Sequence, residues 1–354
     1  MPARSLSLAA CLAAACVAGC LPSSGKRQDT SLLAADSTSR ALAASVVPDT
    51  LARVWRAEAP ADDPLLLPTT LAWAAGRLAV TDTQAGRARW LTADGAFRGG
   101  VAFPAESYPY GAGVTGDTLG VLLRGADALV WLVPGDSLRP KGVHQVRVPA
   151  GAQAALVTGD SAVVRLGGGA TGEPPELVAL AADGAVRSRV PLGGPAWRSV
   201  GFLRAWGPDV VALSDYRPVV DVWASAAPDT LALAGFDSPQ LRRSAQFVRG
   251  DADEPPLLIP SAAALGDDLF VLNARADELR VDVYDRGGRL RRVLVSPGPR
   301  APLDLVAYDL AVRRAPGPGS GAGPGAVEVA VLWLRPRGVL RGAGSAVELF
   351  RWPG

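Results

Sequence analysis

Asp82, Asp215 and Asn273 occupy the same point of a recurring pattern, each closing a short apolar run. The runs are Gly76-Arg-Leu-Ala-Val-Thr-Asp82, Asp209-Val-Val-Ala-Leu-Ser-Asp215 and Asp268-Leu-Phe-Val-Leu-Asn273. Oxygen ligands converging from several repeats could hold Ca²⁺ or a similar hard cation. The same residue types also accept hydrogen bonds from nearby loop amides. That structural role is the expected one, so no cofactor is expected, with Ca²⁺ as the alternative. His144 is the only histidine and stands among polar and charged residues in a predicted loop. A Ser-His-Asp arrangement would need it beside both partners; an exposed loop histidine is expected instead. The three cysteines, Cys11, Cys16 and Cys20, all fall in the first twenty positions. With one histidine and no cysteine beyond them, a zinc or blue-copper site is not expected. Gly167-Gly-Gly-Ala-Thr-Gly172 lacks the lysine and helix of a phosphate loop and reads as a plain loop. Arg286, Arg289, Arg291 and Arg292 flank a Gly-Gly turn and read as a solvated hairpin rather than an anion site.

The elements that position these residues are short. From about residue 50, runs of Val, Leu, Ala and aromatics alternate with Gly, Asp and Pro turn signals, and no 3.6-residue stripe stands out. Many short strands with regular turns argue for a sandwich, a barrel or a propeller, and internal repeats choose among them. Six copies are anchored at Trp90, Trp131, Leu180, Trp223, Tyr284 and Phe350, separated by 41, 49, 43, 61 and 66 residues. The recurring aromatics are expected to pack between blades rather than to bind sugar. Asp94-Gly95 supplies the positive φ of a tight hairpin. The two long intervals hold insertions, one at 236–257 and one at 315–326, the latter a Pro-Gly run expected to be a mobile loop. The last copy leaves no room for an outer strand, whereas Leu51-Ala-Arg-Val-Trp55-Arg-Ala-Glu58 is an orphan strand ahead of the first. Pairing the two would close a ring and remove an unpaired edge.

The repeats around Asp82, Asp215 and Asn273 resemble NHL-type repeats of six-bladed propellers, and the bacterial six-bladed β-propeller family within the wider TolB-like superfamily. The resemblance spans residues 50–354 and implies an all-β, six-bladed β-propeller of four-stranded antiparallel blades; six copies favour six blades over five or seven. Six-bladed lactonases of the regucalcin type hold a channel metal with Glu, Asn and Asp, and the glutamate such a site takes from the first blade is not evident here. A metal-dependent hydrolase or lactonase in the propeller channel is therefore the alternative to a binding or scaffold module. A structural subunit of an envelope complex is a third reading.

The N-terminus has its own signature. Arg4 precedes an apolar run from Leu6 to Val17, too short to span a bilayer, and Val17-Ala-Gly-Cys20 follows. This ending resembles the bacterial lipobox, which implies cleavage after residue 19 and lipid on Cys20. The expected organisation is a lipoprotein signal peptide at 1–19, a lipidated flexible tether at 20–49 rich in Ser, Ala, Asp and Thr, and the propeller at 50–354. One acyl chain binds a membrane marginally, but lipobox proteins carry several, which implies stable attachment. Leu21 stands where an inner-membrane retention signal would have Asp, which favours the outer membrane in a cell that has two. Expected partners are the membrane, through Cys20, and an envelope protein, peptide or glycan. A net charge of +2 gives no general attraction to nucleic acid. Apolar residues at 49% and charged residues at 20% describe a body with a true core. That core has no disulfide to support it.

Overall fold

The computed structural model describes residues 37–134, 140–167, 174–193, 197, 200–223, 229–275, 278–296, 305–316, 325–334 and 345–354. Cys20, the expected signal peptide, residues 168–172 of the glycine run and residues 317–324 of the Pro-Gly insertion lie outside them.

The described chain is a six-bladed β-propeller. Blade 1 is β3 (Pro68–Ala74), β4 (Arg77–Asp82), β5 (Arg87–Leu91) and β6 (Phe97–Ala102). Blade 2 is β7 (Pro109–Thr115), β8 (Thr118–Leu123), β9 (Ala128–Pro134) and β10 (Pro140–Arg147). Blade 3 is β11 (Ala152–Thr158), β12 (Ser161–Leu166), β13 (Glu176–Leu180) and β14 (Val186–Pro191). Blade 4 is β15 (Gly201–Trp206), β16 (Asp209–Ser214), β17 (Val219–Trp223) and β18 (Asp229–Ala232). Blade 5 is β19 (Ser261–Leu265), β20 (Asp268–Asn273), β21 (Arg280–Tyr284) and β22 (Leu290–Val295). Blade 6 takes β23 (Val306–Arg314), β24 (Val327–Leu334) and β25 (Ala346–Trp352) from the end of the chain. Its fourth strand is β2 (Ala52–Glu58), antiparallel to β25 with Arg56 opposite Glu348 and Glu58 opposite Ala346. The orphan strand therefore closes the ring, as its position in the sequence predicted.

The first strands β3, β7, β11, β15, β19 and β23 neighbour one another in sequence and then back to the start, so they line the central axis. All six repeat anchors lie on third strands, and all but Trp223, which is half-buried, are buried. Each seam between neighbouring blades has its own apolar cluster. Layering of this kind is what an all-β ring needs, because each blade is too thin to hold a core of its own. Gly95 has φ 85°, and a Cβ there would lie 2.9 Å from the Trp55 ring. The Asp-Gly turn thus serves two purposes: a positive φ and room for the closing strand to pack.

Two elements differ from the sequence reading. Part of the expected tether is ordered: α1 (Ser37–Ser45) leads into β1 (Asp49–Thr50), which pairs in parallel with β22. Leu42, Ala43 and Val46 pack on the seam between blades 4 and 5, and the Ser39 hydroxyl accepts from the Gly235 amide at 3.1 Å. Arg292 adds an ion pair to Asp49 at 3.4 Å. The insertion at 236–257 holds a helix, α2 (Leu241–Arg249), where no helical stripe was read. Leu241, Ser244 and Phe247 are buried, and Phe247 meets Trp197 edge-on at 5.1 Å between ring centroids. Gly250, in the left-handed region, ends it by donating to the Gln246 and Phe247 carbonyls. Nine residues carrying three arginines give little periodic signal; burial against blades 4 and 5 makes the helix.

Candidate functional site

Second strands end, and third strands begin, on one face of the ring, the same face at which each first strand starts. Asp82, Asp215 and Asn273 all lie on this face, in blades 1, 4 and 5, but their side chains do not converge. Asp82 is fully buried and accepts three amide hydrogen bonds, from Leu66 at 2.7 Å, Leu67 at 3.0 Å and Ala85 at 2.9 Å. It fastens the connection entering blade 1 to the loop leaving β4. Asn273 donates to the Asp237 carbonyl and to the Asp282 carboxylate, each at 2.8 Å, and so ties the 236–257 insertion to blade 5. Among the described residues, no group of three or more His, Cys, Asp and Glu is gathered as a metal site.

Asp215 is the member of the trio that faces the channel. Its backbone is pinned on both sides: its amide donates to Val200 at 2.9 Å, and its carbonyl accepts from Leu258 at 2.8 Å and Ile259 at 3.1 Å. Its partly buried side chain is within electrostatic reach of Arg165 and Arg204. Loss of hydration pushes the Asp215 carboxyl up to about 7, against the opposing pull of the two arginines.

Around it stand groups that the repeat pattern did not single out. Asp309, on β23, accepts from the Leu71 amide at 2.6 Å, from Arg204 at 3.0 Å and from the Ser261 hydroxyl. Burial raises its pKa despite these donors. Arg204, on β15, also donates to the Ala262 carbonyl at 2.6 Å, so blades 4, 5, 6 and 1 are linked through this pair. Arg124, just past β8, donates to the Gln153 carbonyl and lies over the Tyr110 ring, 4.0 Å from its centroid. Arg165, on β12, donates to the Gly201 carbonyl, and burial lowers its pKa to about 10. Tyr110 and Tyr308 are both held neutral by loss of hydration. Arg165, Arg204 and Asp309 each interrupt an otherwise apolar strand, as in Ser161-Ala-Val-Val-Arg-Leu166 or Val306-Ala-Tyr-Asp-Leu310. That interruption was the legible signal. Fixed arginines, a carboxylate with proton affinity near neutrality and two aromatic hydroxyls can bind a polar or anionic group and can exchange a proton with it.

The remaining candidates are structural. His144 lies on β10 rather than in a loop; its Nε2 is 2.9 Å from the Ala182 carbonyl and its ring 5.1 Å from that of Trp131. Arg286 pairs with Asp209 and Asp267 and covers Trp206, and Arg291 pairs with Asp285, as a solvated hairpin should.

Fold and site together define a six-bladed β-propeller with a polar channel mouth. Among solved structures it is similar to a streptogramin B lyase, with 11% identity over 82% of this chain and 86% of that one and a TM-score of 0.50. A catalytically inactive virginiamycin B lyase from Staphylococcus aureus with quinupristin is 10% identical over 84% and 99%, also at 0.50. Regucalcin from Agrobacterium tumefaciens, a calcium-binding protein, is 13% identical over 86% and 95%, at 0.49. At these identities the likeness is one of fold alone. No family model and no curated protein matches the sequence.

Proposed function

We propose that this protein is a lipid-anchored β-propeller of the bacterial envelope that acts as a binding or scaffold module through the mouth of its channel. The observation that supports this most is the gathering of Tyr110, Arg124, Arg165, Arg204, Asp215 and Tyr308 at one mouth, in a body otherwise held by apolar seams. Leu66, Leu257 and Val306 add exposed apolar side chains to the connections on that face, entering blades 1, 5 and 6. Such a surround suits an amphiphilic ligand or a protein segment. Lipid on Cys20 would keep the propeller at the membrane, outside the cytoplasm and on the outer membrane of a cell that has two.

Two experiments test the reading. Cys20→Ser should release the protein from the membrane fraction or leave it unprocessed; a correctly cleaved variant that stays membrane-bound would refute the anchor. Capture from solubilised membranes should give a partner with wild-type bait that is lost with Asp215→Arg bait of equal melting temperature. Capture that ignores the mouth variant would place binding elsewhere. A channel hydrolase or lactonase is the second reading, favoured by the neutral-range proton affinity of Asp215. It expects turnover of a lactone panel and, if a metal assists, a rise in melting temperature with Ca²⁺ that Asp215→Ala abolishes.

A further inference from the structure

The innermost strand of every blade has one edge with no strand beside it, so its main-chain N–H and C=O groups on that side need other partners. At the mouth end, side chains of the neighbouring blade supply them. The Gly111 amide donates to the Thr70 hydroxyl at 2.9 Å between blades 1 and 2. Arg124 donates to the Gln153 carbonyl between blades 2 and 3, and Arg165 to the Gly201 carbonyl between blades 3 and 4. Arg204 donates to the Ala262 carbonyl at 2.6 Å between blades 4 and 5. The Leu71 amide donates to Asp309 at 2.6 Å between blades 6 and 1. The Ser261 hydroxyl donates to the same carboxylate between blades 5 and 6, so no seam lacks a link.

The links share one level. Every first-strand residue in them lies within the first four positions of its strand, a depth of about 10 Å at roughly 3.3 Å per residue. Arg124 and Arg165 reach that level from the mouth ends of β8 and β12. Thr70, Arg165, Ser261 and Asp309 are buried, which strengthens each bond and the cost of losing it. The backbone is shaped to the circuit at two points. A Cβ on Gly111 would lie 2.3 Å from the Thr70 Oγ1, so that link needs glycine. Gln153 falls where the β11–β12 register shifts, which takes it out of the ladder and leaves its carbonyl to Arg124.

A closed circuit constrains its members as an open row does not. A blade that draws away from one neighbour must press or shear against the other, so widening at one seam is taken up at the rest. We propose that these links form one continuous belt that holds the mouth as a preformed aperture. Arg124, Arg165 and Arg204 are positioning residues in it, each fixing the width of the mouth through the carbonyl of the next blade. Below the belt, each seam keeps the stability of its own apolar cluster. This goes beyond the binding-module reading, because it concerns how the mouth is built and holds whatever the mouth binds.

Native-state hydrogen exchange on the full-length protein tests it, because two links are made by amides, those of Gly111 and Leu71. Arg165→Gln breaks the link between blades 3 and 4, a seam that contains neither amide. Exchange at both should quicken by about threefold or more, while the outer strands β6 and β18 keep their rates. Arg165→Lys, which still carries a donor for Gly201, should give a smaller change. Leu192→Ala thins the apolar cluster of the same seam and should leave both amides at the wild-type rate. If Arg165→Gln does not fold, Arg124→Gln breaks the link between blades 2 and 3 and is read at Leu71. Unchanged amides in a folded belt variant would mean that the links act singly, and would overturn the belt. So would an equal rise in Leu192→Ala, or a rise shared by β6 and β18, either of which would report a loss of stability not particular to these links.

Discussion

Three amide donors converge on the single buried carboxylate of Asp82, and that geometry sets its role. Asp82→Ala leaves three part-buried main-chain N–H groups without their acceptor. It should cost about 3 kcal/mol in denaturant unfolding, since each stranded donor costs roughly 1–3 kcal/mol and water recovers part of the loss. A loss below about 1 kcal/mol would mean that the loop does not depend on this carboxylate. Asp215 carries the opposite sign. Its native pKa, raised from 3.8 to about 7, means the folded state holds a proton that the unfolded chain has released. Stability should therefore be greatest below about pH 4, fall as pH rises towards about 7, and stay level beyond it as far as this group is concerned. Asp215→Asn should remove that slope and stabilise the protein at pH 8. The ceiling is ~4 kcal/mol from about 1.4 kcal/mol per pKa unit, reduced because the carboxylate is partly solvated. Melting curves taken across this range measure it, and an unaltered slope in the variant would assign the pH dependence to other groups.

At the level of elements, the N-terminal segment works harder than its composition suggested. β2 supplies the outer strand of blade 6, and its loss would expose the β25 edge. Deleting residues 51–58 should abolish cooperative unfolding or cause aggregation, read by calorimetry and light scattering. Deleting residues 37–45 should cost less but not nothing, on the order of 1–2 kcal/mol, because Leu42 and Ala43 cover part of the seam between blades 4 and 5. Equal melting of the two truncations would refute the closing role of β2. Helix α2 makes a comparable case. Phe247 is fully buried against Trp197, and Phe247→Ala should cost about 3–5 kcal/mol. Ser261 and Asp309 would be unaffected in that variant, so a loss confined to the insertion would show local rather than global unfolding by hydrogen exchange.

The ring as a whole is uneven. The cluster between blades 4 and 5 contains Trp197, Trp206, Phe202, Phe236, Phe247 and Tyr284 and extends into the insertion. That between blades 3 and 4 is built from Ala154, Leu156, Leu177, Leu192, Leu203 and Ala212, without a buried aromatic. Less apolar area per seam means weaker local stability. Amide exchange should therefore be faster along β11, which faces the thin seam, than along β19, which faces the aromatic one. Equal protection around the ring would mean that closure by β2 couples all blades into one cooperative unit.

Fold class, repeat count, blade anchors and the closing strand were legible in the sequence. Each is written in local chemistry: alternating apolar runs, Asp-Gly and Gly-Gly turns, and an unpartnered strand at one end with a missing strand at the other. The third-strand aromatics could likewise be read as core, because recurrence at one repeat position is a packing constraint. Position in the repeat also placed Asp82, Asp215 and Asn273 on one face, but not where their side chains point. That choice depends on whether a neighbouring loop offers amides, as residues 66, 67 and 85 do for Asp82, or none, as around Asp215. Arg124, Arg165, Arg204 and the neighbours Tyr308 and Asp309 come from four blades and are scattered over some 185 positions of the chain. No spacing rule links them. Only the ring brings first strands from all six blades to one axis, and the loss of water there turns an ordinary aspartate into a group that titrates near neutrality.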